Sequence, residues 1–486
     1  MFPVSQIISP YIAGRLFLAL SLVITVAGVC LLHHALFGVR SFWPLVSAIL
    51  AYNGIFLAGL VNYSLGVGLA LVFGAVWIRI SSWPRAPRIL YGLLLATILY
   101  FVHVLAVGLY ALLVAVLELW RLVANRHRRP LQLLVDLIIA GLPFLVPMTL
   151  FWMTTDFVHE IGHASASEGD SQPVSASMIG IAQLIIDRAM ERTKLFIRMI
   201  GSGYYVWLNL AIVVLACAIL VYAIVSRSLR IRWQPIIAAV ILLTLFFVIS
   251  DGNVFHVNNV HLRFPIMIVL LCIAGSDVRP SQRAIPILVG CLGAFFMVQT
   301  LVVAANFRAY NQELTEFRLA FSHIEPGAKV FSTKPDGLPA EIFRVEPVQQ
   351  VFLTRLSSLY NLQVLMVAER RAFSPNFFAH PQKQILKVRD AYKELAYNDG
   401  GFPTPWSWAM DVLHFPNAPH PFLNDQMWEP TRDWWQRYDY LTVIYPSFIV
   451  GLPEDNDRLL KLVFTGRWIR IYRIQHSANR VRQLLD

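Results

Sequence analysis

ILYGLLLATILYFVHVLAVGLYALLVAVLELW, Ile89–Trp120, is an apolar run of 32 residues interrupted only by His103 and Glu118 as ionisable groups near neutral pH. An α-helix needs about 20 such residues to cross a bilayer, so the run is too long for one crossing and short of two full ones. Its flanks decide the matter. Arg79, Arg85 and Arg88 precede it, and Arg121, Arg126, Arg128 and Arg129 follow. Short loops rich in Lys and Arg stay on the cytoplasmic side of a membrane. With both flanks on one side, the run crosses an even number of times. The simplest solution is two short helices bent near Phe101-Val102-His103, with the bend buried in protein or facing a water-filled cavity.

The same pattern continues outward. Arg227, Arg230 and Arg232 form a third basic loop, and Arg279 and Arg283 a fourth. The twelve arginines of the four loops, set against Asp277, equal the net charge of +11. The basic character is therefore a topology signal. A nucleic-acid partner is not implied, because the charge is not gathered on one soluble face. The composition is 57% hydrophobic and 14% charged, with a mean hydropathy of +0.58, and the apolar runs lie between Arg15 and Phe307. These values place residues 1–307 in a polytopic α-helical membrane domain of about ten hydrophobic segments, some short or re-entrant. Trp43–Trp77 is too long for one crossing and is expected to break near Asn62-Tyr63. Leu131–Thr155, Tyr205–Val225, Trp233–Ser250, Phe264–Ser276 and Ala284–Phe307 follow in alternating directions.

Residues 308–486 are mixed and polar, enough chain for a core of their own. The alternation of crossings puts this part outside the cytoplasm, and it reads as an α/β domain. KVFST, LQVLMVA (Leu362–Ala368), DYLTVIY and RWIRIYRI have strand composition. DNDRLLKLVF and LKVRDAYKELAYN have helical spacing. Between Gly400 and Trp435, Trp406, Trp408, Trp428, Trp434 and Trp435 alternate with Asp411, His414, Asp425 and Glu429. Such a set suits a sugar subsite, the packing of a loop-rich domain, or a membrane surface. Cys30, Cys217, Cys272 and Cys291 all lie in apolar segments, which implies no disulfide framework.

Polar residues converge on the two outer loops. In Ile181–Gly201, Asp187, Arg188, Glu191, Arg192 and Arg198 fall near one face of a helix, opposite Ala182, Ile185, Ala189, Phe196 and Ile200. That is the pattern of a helix lying in the membrane interface, a connector whose Arg188, Arg192, Lys194 or Arg198 suits a lipid phosphate. The second loop, Asp251–Leu262, carries His256 and His261 and leads into Arg263. An arginine at that depth calls for an anion, either a lipid phosphate or an acidic side chain. His103 at the bend reads as a hydrogen-bonded interior histidine, with catalysis as the alternative. HEIGH, His159–His163, has the spacing of a zinc site, with His159 and His163 as ligands and Glu160 as base. It lies past the end of its apolar helix, before the polar ASASEGDSQPVSAS. Asp251, the third ligand available on that face, sits in no apolar helix. A divalent metal is thus a possibility the letters raise without a built site.

AGRLFLAL (Ala13–Leu20), YNGIFLAGLVNYSLGVGLAL (Tyr52–Leu71), HVLAVGLYALLV (His103–Val114), HLRFPIMIVLLCIAG (His261–Gly275), AFSPNFFAHP (Ala372–Pro381) and the closing RIYRI resemble bacterial polytopic proteins of the GT-C glycosyltransferase type. The resemblance implies a transferase of the bacterial cytoplasmic membrane. It would move a sugar from a polyprenyl-phosphate carrier to an envelope glycan or lipid at the outer face. In that group the acidic catalytic residue follows the first transmembrane helix. This chain resembles the part downstream of that point, and running the charge count backwards puts its N-terminus outside with no basic n-region or cleavage site. The expectation is a missing N-terminal helix and first outer loop. No position inherits the general base, and Asp156, Glu160 and Asp251 are the carboxylates available as substitutes. A lipid or glycan transporter is the alternative, followed by a zinc protease built on HEIGH.

Overall fold

The computed structural model describes residues 9–124, 130–154, 178–201, 205–249, 260–333, 362–375, 388–395, 434–449, 452 and 459–476. The chain divides into two compact units, Met1–Val303 and Ala304–Asp486.

The first unit is helical. Six helices among the described residues are long and apolar enough to cross a membrane, which makes it an integral membrane unit. They are α1 (Pro10–Phe37), α2 (Val61–Arg79), α3 (Arg85–Val102), α4 (Val104–Ala124), α8 (Val206–Val225) and α11 (Ala284–Phe321). Between them run α5 (Pro130–Gly141), α6 (Leu145–Thr154), α7 (Met178–Ile200), α9 (Trp233–Val248) and α10 (Phe264–Ala274). Hydrocarbon offers no partner to peptide groups, so each apolar run satisfies its own backbone as helix.

The long run quoted above breaks at His103, whose backbone is extended with φ −170° and ψ 127°. The His103 ring Nδ1 accepts from the Leu105 N–H at 3.1 Å, and the His103 carbonyl accepts from Ala106 N–H at 2.9 Å. One residue thus ends α3 and caps α4. The segment before α2 breaks earlier than its composition suggests. A 3-10 helix, Trp43–Leu50, and a short turn of helix, Gly54–Leu57, precede α2, so the break falls at residues 58–60 rather than at Asn62-Tyr63. Asn53 directs it, since its side-chain oxygen caps the Phe56 N–H and its amide binds the Leu50 carbonyl. α11 runs to Phe321, past the expected boundary at Phe307.

The core of this unit is set by small residues. A Cβ on Gly68 of α2 would come within 2.7 Å of Thr25 N and 2.8 Å of Ile24 C on α1, and one on Gly28 within 2.5 Å of the Gly68 carbonyl. Thr25 Oγ1 donates to Ser64 O at 3.2 Å across the same crossing. Helices in lipid gain association free energy from such close backbone approach, because apolar surface alone does not separate protein from lipid.

In the second unit, β3 (Val330–Thr333), β4 (Tyr440–Ile444), β5 (Leu460–Thr465) and β6 (Ile469–Ile474) form a sheet in the order β3-β4-β6-β5. β3 is parallel to β4, and the other pairs are antiparallel. Alternate residues serve two cores. Val330, Tyr440, Ile444 and Ile471 join Phe317 and Phe321 of α11 on one face, while Phe331, Leu441, Val443 and Tyr472 join Trp434 and Tyr438 on the other. A sheet covered on both faces explains why DYLTVIY is apolar almost throughout.

Two expected elements change type. LQVLMVA folds as a 3-10 turn, Leu362–Val364, and a helix, Leu365–Arg370. Its short apolar run fits either period, and Met366 is fully buried as a helical residue. The LLKLVF part of the expected helix is β5, because the turn at Gly466 lets it pair with β6 as a hairpin. Of LKVRDAYKELAYN, Asp390–Leu395 is a 3-10 helix.

Candidate functional site

At one end of the helical unit, three segments distant in sequence meet. The 3-10 turn Val260–Arg263 leads into α10 and is wholly buried. The Arg263 carbonyl accepts a hydrogen bond from the Tyr63 hydroxyl of α2 at 2.6 Å. Arg263 Nη1 lies 2.7 Å from His103 Nε2. The Tyr63 and His103 rings meet edge-on with centroids 5.2 Å apart, and the Arg263 guanidinium sits 5.5 Å from the Tyr63 ring. A guanidinium is a permanent donor, so this contact is a hydrogen bond only in the tautomer whose Nε2 carries no hydrogen. Gly66 makes room for the cluster, as a Cβ there would stand 2.8 Å from Ala106 Cβ and 3.4 Å from His103 Cβ. Beside it a small cavity of about 10 Å³, room for roughly one water, is lined by Thr25, Asn53, Tyr63 and Ser64 among other residues.

Arg192 of α7 reaches the same end by another route. Its Nη2 donates to the Ile249 carbonyl, at the C-terminus of α9, at 2.8 Å, and its guanidinium lies 5.6 Å from the Phe246 ring centroid. This corrects the sequence reading, which put Arg192 on the exposed polar face of an interfacial helix. Arg192 is 3% exposed and belongs with Met199 to the face that packs on the bundle. The long aliphatic stem covers apolar surface while the head satisfies a carbonyl that α9 leaves without a helical partner. Arg188, Lys194 and Arg198 are exposed. The close approach of α7 to the rest of the unit is visible at Gly54, where a Cβ would lie 3.1 Å from the Arg198 carbonyl.

The remaining candidates distribute as follows. His261 is buried in the same turn as Arg263. Asp156, His159, Glu160, His163, Asp251 and His256 lie outside the described residues, as do Trp406, Trp408, Trp428, Asp411, His414, Asp425 and Glu429. Trp434 and Trp435 are buried, and Trp434 stacks on Phe331 with centroids 5.3 Å apart. These two therefore pack the domain. Among the described residues no group of three or more His, Cys, Asp and Glu side chains is gathered to hold a metal ion. The four cysteines are free thiols.

The arginines gather at the opposite end. Glu118 Oε1 accepts from Trp77 Nε1 at 2.8 Å and from Arg121 Nη1 at 2.7 Å, and it pairs closely with Arg88. Arg88 also covers the Trp77 ring at 4.2 Å. This pairing explains the single carboxylate of the quoted run. Nearby, β1 (Leu229–Ile231) and β2 (Ser276–Val278) tie two of the arginine-rich loops together as an antiparallel ribbon. Asp277 in that ribbon is fully buried between Arg279, at 2.7 Å, and His33 of α1, at 3.4 Å. Tyr63 is the participant that sequence reasoning assigned no role. Its signal was the YNGIFLAGLVNY break, where a tyrosine stands at a helix start.

No family model matches the chain, and no curated protein matches it.

Proposed function

We propose that this chain is a GT-C-like protein of a bacterial cytoplasmic membrane that binds a polyprenyl-phosphate sugar and passes the sugar to an envelope glycan or lipid. The observation that carries this reading is the seating of Arg263. A permanent cation stands at the start of an apolar helix, its backbone held by Tyr63 and its side chain by His103. A buried cation at a helix start in a membrane protein is a candidate functional position whose natural partner is an anion. Guanidinium matches phosphate oxygens in geometry and charge. In this reading the four shorter apolar stretches, Trp43–Leu57, Leu137–Met153, Trp233–Val248 and Val260–Ala274, cross together with the six long helices. The arginine-rich end then faces the cytoplasm, and Arg263 and the second unit face outward. The exposed Arg188, Lys194 and Arg198 of α7 lie at the lipid headgroups and draw the anionic carrier toward Arg263.

The test uses the full chain in lipid nanodiscs with undecaprenyl phosphate. Binding that Arg263→Gln abolishes while thermal unfolding is unchanged is the expected result. Radiolabelled polyprenyl-phosphate sugars added to membranes then separate the chemistry. Label appearing in a glycan or lipid acceptor supports a transferase. Label that moves between leaflets with its sugar bond intact makes the protein a transporter. Absence of binding to either lipid overturns both readings.

A further inference from the structure

The His103 ring faces two donors and has one lone pair to offer. The Leu105 N–H points at Nδ1 from 3.1 Å, and Arg263 Nη1 approaches Nε2 to 2.7 Å. A neutral imidazole carries its proton on one nitrogen and accepts on the other. If Nε2 accepts from Arg263, Nδ1 carries hydrogen and turns it toward the Leu105 N–H, leaving that donor of α4 without its cap. If Nδ1 caps α4, Nε2 carries hydrogen and turns it toward the guanidinium. An imidazolium accepts at neither position. Tyr63 from α2 and Arg263 from the turn before α10 are the titratable or charged groups that face the ring among the described residues.

Resting on the lipid-phosphate reading above, we infer that His103 is a positioning residue that exchanges its one lone pair between the Arg263 side chain and the N-terminus of α4. In one state Nε2 accepts from Arg263 and parks the guanidinium against the ring. In the other the proton sits on Nε2, Nδ1 caps Leu105, and the guanidinium turns away to a phosphate oxygen. The exchange moves one proton from Nδ1 to Nε2 and needs no net uptake or release. The Arg263 backbone stays put, because Tyr63 holds its carbonyl independently of the side chain. Anion binding and capping of α4 therefore favour each other, and parking Arg263 opposes both.

His103→Asn separates the two duties. Asparagine is a strong N-cap and keeps the Leu105 N–H satisfied, and its side chain is too short to hold the guanidinium. The expected result is a gain. Undecaprenyl phosphate binds the His103→Asn protein in nanodiscs about tenfold more tightly than the wild type, the equivalent of one hydrogen bond to a charged group. His103→Ala also frees the guanidinium and gains as much, but it unfolds at a lower temperature because α4 loses its cap. In the wild type, ¹⁵N spectra of the labelled ring shift the lone pair from Nε2 to Nδ1 when the lipid is added. Equal or weaker binding by a folded His103→Asn protein overturns the exchange and leaves the lipid-phosphate reading standing. A ring tautomer unmoved by saturating lipid does the same, and it decides the case if the variant does not fold. Failure of the wild type to bind the lipid overturns both.

Discussion

Arg263 Nη1 lies 2.7 Å from His103 Nε2, although 160 residues separate them. One belongs to the turn that starts α10, the other to the one-residue interruption between α3 and α4. The break in the long apolar run thus has a use beyond returning the chain. It places an imidazole where a guanidinium needs an acceptor.

Tyr63→Phe removes the hydroxyl that binds the Arg263 carbonyl and leaves a buried acceptor unsatisfied. The expected loss is about 1–3 kcal/mol of stability. It is measured by unfolding in detergent, with weaker undecaprenyl phosphate binding as the accompanying effect.

Arg192→Met keeps a long apolar side chain and deletes both the donor to the Ile249 carbonyl and the guanidinium over the Phe246 ring. It costs roughly 1–2 kcal/mol, and hydrogen exchange in α7 quickens ahead of the rest of the unit. Arg188→Met on the exposed face leaves exchange unchanged.

Gly68→Ala forces a methyl group into the backbone of α1, where Thr25 N is 2.7 Å away. The α1–α2 crossing must open, at a cost of about 1–3 kcal/mol. Gly108→Ala meets nothing within 4 Å and serves as the matched control, neutral or stabilising by about 0.5–1 kcal/mol.

Glu118→Gln leaves Arg88 and Arg121 without the carboxylate they share. Removing one side of a largely buried ion pair costs about 3–5 kcal/mol. The combined Arg88→Leu, Glu118→Leu, Arg121→Leu protein recovers part of this loss, which thermal melts of the wild type and the two variants resolve.

Tyr438 reports on the second unit. Burial raises its phenol above the ordinary tyrosine value, and its hydroxyl donates to the Leu395 carbonyl at 3.3 Å. A raised folded-state value means stability that is complete below the unfolded phenol's pKa of about 10 and is lost as pH rises beyond it. The wild type is expected to lose stability above about pH 10 more steeply than Tyr438→Phe, read by urea unfolding across that range.

Much of the helical unit was legible locally. The apolar runs are helices because lipid leaves peptide groups no other partner, and arginines at both flanks force Ile89–Trp120 to turn back. The break at His103 follows from those two facts. Runs rich in β-branched and aromatic residues such as VFST, YLTVI and IRIYRI likewise announce strands, whereas LLKLVF and LQVLMVA fit more than one period and were decided by their neighbours. Burial of Arg192 was not legible, because a charge on an amphipathic helix reads as solvated until a particular carbonyl is brought to it. The partners of Glu118 and Asp277 were hidden for the same reason.

Composition and charge order alone determined that the chain is a membrane-helical protein followed by a mixed α/β unit, and where the run Ile89–Trp120 must bend. Those properties depend on neighbours within a few residues and on the solvent each segment meets. Tertiary structure alone decided that Tyr63, His103 and Arg263 share one site. A hydrogen bond between residues 160 or 200 positions apart exists only once packing, set here by Gly66 and Gly68, brings three helices to the same point.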